Sequence, residues 1–187
     1  MPKEIAALPS SLPAGTVFLI DDDDFILQVQ AELLRSVGLE VRCFTSSADF
    51  LRAYVSTPRE CILSDLRMPE ISGLQLQARL IERGLDTPII FITGHADVAT
   101  AVEAMRRGAF DYVEKPVHGQ HLLDRVYAAL KLSSERYHER QARITREARL
   151  ALLTPQESKI AGWVVAGKSS REIAELGNIS VRTVENH

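Results

Sequence analysis

The chain has 187 residues, of which 45% are hydrophobic and 25% charged, and these proportions are ordinary for a folded globular protein. They argue against a disordered chain and against a membrane protein, and no apolar run approaches the length of a membrane span. Residues 1–13 are too polar and too rich in proline for a signal peptide, so we expect a flexible leader on a cytoplasmic protein. Cys43 and Cys61 lie in short apolar runs without metal-ligand spacing, which predicts two buried thiols.

The net charge of −3 hides an asymmetry along the chain. Residues 1–130 carry 12 Lys and Arg against 18 Asp and Glu, whereas residues 131–187 carry 10 against 7. An acidic front and a mildly basic back indicate two parts with different partners. The basic excess alone is too small to establish nucleic-acid binding.

Five short apolar runs predict five β-strands, and amphipathic stretches between them predict helices. The helices are expected over residues 25–37, 47–54, 74–83 and 98–107, with Asp97 capping the fourth, and over 120–131. Glycine closes three of them, at Gly38, Gly84 and Gly108. This alternation is typical of a doubly wound α/β domain, a parallel sheet with helices on both faces. The strands are predicted at residues 17–20, 41–44, 61–63, 89–93 and 112–115.

Chemically active residues follow four of the five predicted strands. The aspartates 21–24 follow the first strand, Asp65 follows the third, Thr93 ends the fourth and Lys115 ends the fifth. Ligands of open parallel sheets bind beyond the carboxyl ends of the strands, so we expect a single site there. The second strand ends without such a residue, which suits an edge strand.

The acidic residues predict a bound cation. Two carboxylates about 4 Å apart repel by roughly 4 kcal/mol at an effective dielectric constant near 20, so Asp21, Asp22 and Asp65 could not converge ionised without one. Hard oxygen ligands suit Mg²⁺. Together with the ammonium of Lys115 and the hydroxyl of Thr93, they suit phosphoryl transfer to Asp65. Each residue taken alone could instead have a purely structural role, as part of a solvated acidic loop, a helix start, a turn or a strand end.

Three segments resemble the receiver domain of two-component response regulators, and specifically the FixJ-like group. They are IDDDD (20–24), SDLRMPEISGL (64–74) and ITGHADVATAVEAMRRGAFDYVEKP (92–116), in the order and spacing of the family. The resemblance covers residues 14–131 and implies a flavodoxin-like fold with strand order 2-1-3-4-5. It also implies that a sensor histidine kinase is the phosphodonor.

The resemblance implies a role for each matched acidic residue. Asp65 would be the phosphate acceptor. Asp21 and Asp22 would be the acidic pair that holds Mg²⁺, with Asp65 and the backbone carbonyl of Arg67 as further ligands.

The remaining matched residues would serve the switch. Thr93 and Lys115 would sense the phosphoryl group, and Tyr112 would be the aromatic residue that turns inward on activation. Residues 23–24 fall outside the ligand pair and should serve the start of the first helix. The family also leads us to expect a cis bond between Lys115 and Pro116, because cis peptides are affordable only before proline.

Residues 132–151 predict a helical linker. The segment contains no Gly or Pro and carries charged residues at helical pair spacing. One position of a seven-residue repeat is apolar or aromatic, but the second seam position is largely polar. A weak dimer-forming helix and a solvated connector therefore both remain open. The repeating residues are Leu123, Leu130, Tyr137, Ile144 and Ala151.

Residues 152–187 predict a small all-α helix-turn-helix. Thr154 with Glu157 and Ser169 with Glu172 form two capping boxes, and Ser180 can cap a third helix. The apolar faces are predicted to hold Ile160, Trp163, Val164, Ile173, Ala174 and Leu176.

This segment resembles the LuxR-type helix-turn-helix, with two departures. Leu176 lies one position early relative to the turn, and the sequence given stops at His187, inside what should be the recognition helix. Arg182 and Thr183 remain candidates for contact with DNA phosphates. We expect this chain to bind DNA poorly, and retardation of a palindromic operator fragment at nanomolar concentration would contradict that.

The sequence is compatible with three functions. The first is a transcriptional response regulator that forms a homodimer on phosphorylation and binds promoter DNA in its complete form. The second is a metal-dependent phosphatase with an aspartyl-phosphate intermediate, which would need a general acid two residues after the nucleophile, where this chain has Arg67. The third is a phospho-dependent protein-interaction module without DNA binding.

Overall fold

The computed structural model describes residues 15–94 and 98–186, which form two compact units that meet in the chain between His138 and Glu139. The predicted leader and the predicted cap at Asp97 lie outside these residues. No helix in the described part of the chain is both long and apolar enough to cross a membrane.

A five-stranded parallel sheet in the order β2-β1-β3-β4-β5 forms the centre of the first unit. This order confirms the predicted doubly wound fold, and the second strand lies at an edge as expected. The strands are β1 (Thr16–Ile20), β2 (Glu40–Phe44), β3 (Glu60–Asp65), β4 (Ile89–Thr93) and β5 (Asp111–Glu114). The helices of this unit are α1 (Asp24–Ser36), α2 (Ser47–Ala53), α3 (Gly73–Glu82), α4 (Val98–Arg106) and the start of α5 (Gly119–Ala151).

Helices cover both faces of the sheet, because the strands are apolar on both sides. Buried residues of α1 and α5 pack on one face, against side chains such as Leu19, Leu63 and Ile92. Buried residues of α2, α3 and α4 pack on the other, against Phe18 and Phe91. The sheet is therefore a rigid platform whose carboxyl edge presents the predicted site residues.

Local signals set the ends of the first four helices close to their predicted positions. The side chain of Asp23 accepts hydrogen bonds from the backbone N–H groups of Phe25 and Ile26 at 2.9 and 3.3 Å, and so caps α1. Gly38, Gly84 and Gly108 follow helices with positive φ, where a side chain would be strained. The Lys115–Pro116 peptide is cis, as expected from the family resemblance.

The prediction that both cysteines are buried is wrong for one of them. Cys61 lies on the central strand β3 and is fully buried, whereas Cys43 is exposed. Cys43 lies near the end of the edge strand β2, which has a neighbouring strand on one side only. An apolar run on an edge strand therefore does not ensure burial.

A buried carboxylate ties together the amino-terminal edge of the sheet. Glu60 is 2% exposed, and its Oε1 accepts hydrogen bonds from the hydroxyls of Tyr54, Ser56 and Thr87 at 2.5, 3.0 and 2.8 Å. Its Oε2 accepts one from the backbone N–H of Thr57 at 2.5 Å. Burial and the hydrogen bond to Glu60 raise the pKa of Tyr54. Four donors compensate the desolvation of this charge.

The Glu60→Gln variant is expected to lose about 2 kcal/mol of unfolding free energy. An amide has one acceptor oxygen, whereas the carboxylate has two. The NH₂ group of the amide would face a hydroxyl or N–H group that now donates to the carboxylate, and buried polar groups would be left unpaired. Urea unfolding followed by far-UV circular dichroism measures the loss. The exposed Glu82→Gln on α3 is the control, and equal stability of the two variants would contradict the role of the network.

The fifth helix does not end at residue 131 as predicted but continues without a break through the predicted linker to Ala151. Leu123 and Leu130 are buried in the core, and the backbone N–H of Glu60 donates to Ser133 Oγ at 3.0 Å. Arg136 donates to the backbone carbonyl of Asp86 at 2.6 Å. The first two members of the seven-residue repeat are thus core residues of the sheet unit and do not form a free seam.

The second unit contains the end of α5 and three short helices, α6 (Pro155–Val165), α7 (Ser170–Gly177) and α8 (Val181–Asn186). Both predicted capping boxes are present. Its core holds Ile160, Ile173, Ala174 and Val184, with Trp163 and Ile179 packed against it. The prediction that Val164 and Leu176 belong to apolar packed faces is wrong, since they are 57% and 55% exposed. Helices this short bury only one narrow stripe each.

Candidate functional site

Residues from three strand ends meet around one ammonium group. Asp21 follows β1, Asp65 is the last residue of β3, and Lys115 follows β5. Lys115 Nζ lies 2.8 Å from Asp21 Oδ2 and 3.1 Å from Asp65 Oδ1. Parallel strands bring these residues together, although 94 and 50 positions separate Lys115 from its two partners.

Backbone groups hold the second oxygen of each carboxylate. The N–H of Asp23 donates to Asp21 Oδ1 at 3.0 Å, and the N–H of Arg67 donates to Asp65 Oδ2 at 2.8 Å. These charge-assisted bonds fix the orientation of both side chains. The carboxylates are nearly inaccessible, with Asp21 4% and Asp65 8% exposed.

The electrostatics of the site suit a basic, ionised carboxylate. Burial raises the pKa of Asp65, against the opposing effects of the Arg67 N–H and of Lys115. Burial lowers the pKa of Lys115, but the hydrogen bonds and charges of Asp21 and Asp65 outweigh it, and the net shift is upward. Lys115 therefore keeps its proton and pairs with Asp65, whose oxygens are more basic than those of an ordinary aspartate.

Thr93 and Tyr112 lie on the same face of the sheet. Thr93 ends β4 and is 2% exposed, and its carbonyl accepts a hydrogen bond from the Lys115 N–H at 2.8 Å. Tyr112 pairs with Phe91 in the β4–β5 register and packs, half-buried, against the same core cluster. Alternation along β4 places Thr93 on the side of Phe91.

The donor set suits Mg²⁺ in part. No group of three or more acidic, His or Cys side chains within residues 15–94 and 98–186 is arranged to hold a metal. Asp22 is exposed, and Lys115 bonds to both Asp21 and Asp65. Each carboxylate oxygen nonetheless has a second acceptor position, and Mg²⁺ commonly takes only one or two carboxylates besides water and phosphate.

Gly73 supports the site, and the sequence analysis assigned it no role. A Cβ at this position would lie 2.6 Å from the Asp65 backbone oxygen and 2.8 Å from the Phe91 ring. The Gly73 N–H also donates to the Leu66 carbonyl at 3.1 Å. The only sequence signal was a glycine inside the matched segment SDLRMPEISGL, directly after the Ser72 cap of α3.

An apolar groove of about 470 Å³ lies beside the acidic site and was also missed. Lys115, Gly94 and Pro116 line one part of it, and side chains of α1 line another. Phe25 and Val29 of α1 are 72% and 50% exposed. Large apolar side chains on the solvent side of a helix often mark a contact surface.

The candidate DNA contacts lie on α8 in the second unit. Arg182 is exposed, and Thr183 is half-buried with its N–H donating to Ser180 Oγ at 3.0 Å. Ser180 therefore caps this helix as predicted.

Two family models match the chain. Residues 17–127 match the response regulator receiver domain, and residues 151–187 match the bacterial regulatory proteins of the luxR family. The transcriptional regulatory protein TdiR of Thauera aromatica is 44% identical over 93% of this chain and 77% of its own length. The transcriptional regulatory protein FixJ of Azorhizobium caulinodans is 43% identical over 95% of this chain and 83% of its own length.

Solved structures agree with these matches. The response regulator StyR has a TM-score of 0.82 at 35% identity and covers 93% of this chain and 88% of its own. Full-length FixJ from B. japonicum has a TM-score of 0.62 at 34% identity, over 91% of this chain and 84% of its own. On sequence and strand order, this chain belongs to the response regulators, with a receiver domain followed by a LuxR-type DNA-binding segment.

Proposed function

We propose that a sensor histidine kinase phosphorylates Asp65 and that this reaction controls the LuxR-type segment. The observation that carries the proposal is the placement of Lys115, whose ammonium lies within hydrogen-bond distance of both Asp21 and Asp65. A buried aspartate at a strand end, oriented by a backbone N–H and paired with a fixed cation, suits nucleophilic phosphoryl transfer.

In the proposed step an oxygen of Asp65 attacks the phosphorus of a phosphohistidine. The new P–O bond replaces the N–P bond, and the imidazole nitrogen of the kinase leaves with the electron pair. Lys115 stabilises the negative charge on the transferring phosphoryl oxygens. Asp65 is consumed and regenerated by hydrolysis, so the protein acts as a signalling phosphoacceptor and not as a turnover enzyme.

Mg²⁺ is the cofactor we propose for this step. Asp21, Asp22 and Asp65 would hold it, together with the backbone carbonyl of Arg67. When bound, it would neutralise charge on the phosphoryl oxygens. The free acceptor positions of Asp21 and Asp65 and the exposure of Asp22 support this assignment.

We propose that Thr93 and Tyr112 report the new charge. A phosphoryl group adds strong acceptor oxygens beside the end of β4, where the hydroxyl of Thr93 is the nearby side-chain donor we assign to them. Tyr112 shares the sheet face of Thr93 and would follow it inward. The altered surface would favour a homodimer and so pair two DNA-binding segments on a two-fold site in the cytoplasm.

The groove beside α1 is the surface we assign to the kinase. It adjoins Lys115, and a partner that delivers a phosphoryl group to Asp65 must dock within reach of that residue. Phe25→Ala is expected to lower the rate of transfer from the autophosphorylated cognate kinase by about 30-fold, since buried aromatic anchors typically contribute about 2 kcal/mol. Transfer from acetyl phosphate should be unchanged.

Val55→Ala is the matched control for this variant. Val55 is 67% exposed and does not line the groove. Equal loss of transfer from kinase and from acetyl phosphate in Phe25→Ala would assign the residue to the chemistry of the site and remove it from docking.

Acetyl phosphate with Mg²⁺ tests the proposal as a whole. Intact-mass spectrometry should show one added phosphoryl group, and sedimentation should show a shift towards dimer. Phosphorylation without detectable DNA binding would favour the alternative, an interaction module that does not bind DNA. The domain limits we propose are 14–131 for the receiver, 132–151 for the linker and 152–187 for the DNA-binding segment.

A further inference from the structure

We propose that three arginines of the linker helix bind the phosphate backbone of DNA. Arg143, Arg146 and Arg149, here called the arginine row, lie on the exposed last turns of α5. The proposal rests on the LuxR-type segment, whose compact unit also contains this part of the helix. It does not depend on phosphorylation of Asp65.

The spacing of the row places like charges side by side. Residues three positions apart are neighbours on a helix surface, and like charges there repel. Arg146 and Arg149 have no acidic residue three or four positions away on either side. Because this repulsion is present in the free protein, a partner with closely spaced negative charges would relieve it on binding.

Neighbouring acids do little to neutralise the row. Arg143 Nε lies 3.8 Å from Glu147 Oε1, and both side chains are more than two-thirds exposed, so this pair is weak. Among the residues that the structure describes, Arg146 and Arg149 form no ion pair. Their guanidinium groups are available to an external anion.

The charge balance of the second unit favours DNA as that anion. Residues 152–187 hold four Lys and Arg against four Glu, whereas residues 139–151 hold four Arg against two Glu. The helix-turn-helix segment itself is thus neutral, and the positive excess of the unit lies on the linker helix. Non-specific DNA affinity comes from Lys and Arg that neutralise phosphates, and the row supplies three such groups.

A membrane surface fits the row less well. A helix that lies on a bilayer needs a broad apolar face opposite its charged face. The large apolar side chains on the helix near the row, Ile144 and Leu150, are six residues apart, and the charged Glu147 lies between them on the helix surface. They form no continuous stripe.

The salt dependence of DNA binding tests the proposal. Fluorescence anisotropy with the intact 187-residue chain and a labelled 30-base-pair duplex of arbitrary sequence gives the affinity at about 50 and 200 mM NaCl. Each phosphate contact contributes about −0.9 to the slope of log K against log salt. Three contacts therefore correspond to about a 40-fold larger loss of affinity over this range for the wild type than for the triple variant R143Q/R146Q/R149Q.

The control variant R52Q/R79Q/K131Q removes the same number of positive charges from exposed positions of the sheet unit. It should keep the wild-type slope, and circular dichroism should show equal helix content in all three proteins. Equal slopes for the row variant and the control would overturn the proposal, as would undetectable binding of the wild type at the lower salt concentration. Loss of binding to anionic phosphatidylserine vesicles with unchanged DNA binding would assign the row to membranes instead.

Discussion

The Asp65→Asn variant is expected to take up no phosphoryl group from acetyl phosphate or from the kinase. The amide oxygen is a much weaker nucleophile than the buried, basic carboxylate of Asp65, and an amide cannot form the acyl phosphate. Lys115 would keep its 2.8 Å contact to Asp21, and the N–H of Arg67 would still face an oxygen, so the fold should survive. Intact-mass spectrometry and the shift to dimer are the two measurements.

Two companion variants sharpen this result. Asp124→Asn removes an exposed carboxylate of α5 that accepts a hydrogen bond from the Gln120 side chain at 2.9 Å, and this variant should be phosphorylated like the wild type. Asp22→Asn should slow phosphorylation without abolishing it, because Asp22 is proposed as a metal ligand and not as the acceptor. Normal phosphorylation of Asp65→Asn would place the acceptor at another residue and would overturn the proposed function.

The Gly73→Ala variant is expected to lose about 3 kcal/mol of unfolding free energy, which lies at the upper end of the cost of overpacking. The added methyl group would meet the Asp65 backbone oxygen at 2.6 Å and the Phe91 ring at 2.8 Å. Both contacts belong to buried strands that cannot move independently of the sheet. Urea unfolding followed by far-UV circular dichroism reports this loss, because the single tryptophan, Trp163, lies in the other unit.

The same substitution should slow phosphorylation in the molecules that remain folded. Relief of the clash displaces the backbone that carries Asp65, and displacements of about 1 Å at a reacting group can cost about 100-fold in rate. Gly119→Ala is the control in the same unit, since its nearest contact would be the flexible Leu33 side chain at 3.4 Å. Its stability should change by less than about 1 kcal/mol. Equal behaviour of the two variants would show that the close approach at Gly73 is not required.

The sequence predicted the sheet and the meeting of the site residues because both follow from topology. Parallel strands end at one edge, so Asp65, Thr93 and Lys115 had to approach each other once their strands were recognised. The capping of α1 by Asp23 could also be predicted, because it depends only on residues next to it in the chain. The metal ligands, the switch and the acceptor role of Asp65 stay predictions, which the experiments above address.

Other features depended on packing that a sequence pattern does not encode. Glu60 precedes the apolar run of β3, and its charge is typical of a surface residue, yet the hydroxyls of Tyr54, six residues earlier, and of Thr87, 27 residues later, both donate to it. The need for glycine at position 73 arises from a strand end eight residues earlier. Cys43 and Cys61 lie in similar apolar runs, and only the position of each strand in the sheet separates their environments.

The different exposure of these two thiols allows site-specific labelling of the protein. The sequence contains only two cysteines, and burial raises the pKa of Cys61, which is fully enclosed, so it will resist alkylation in the native state. Cys43 is open to solvent at the outer margin of the sheet. A maleimide dye added to the native protein should therefore attach at one defined position, and fluorescence could follow conformational events without any engineered mutation.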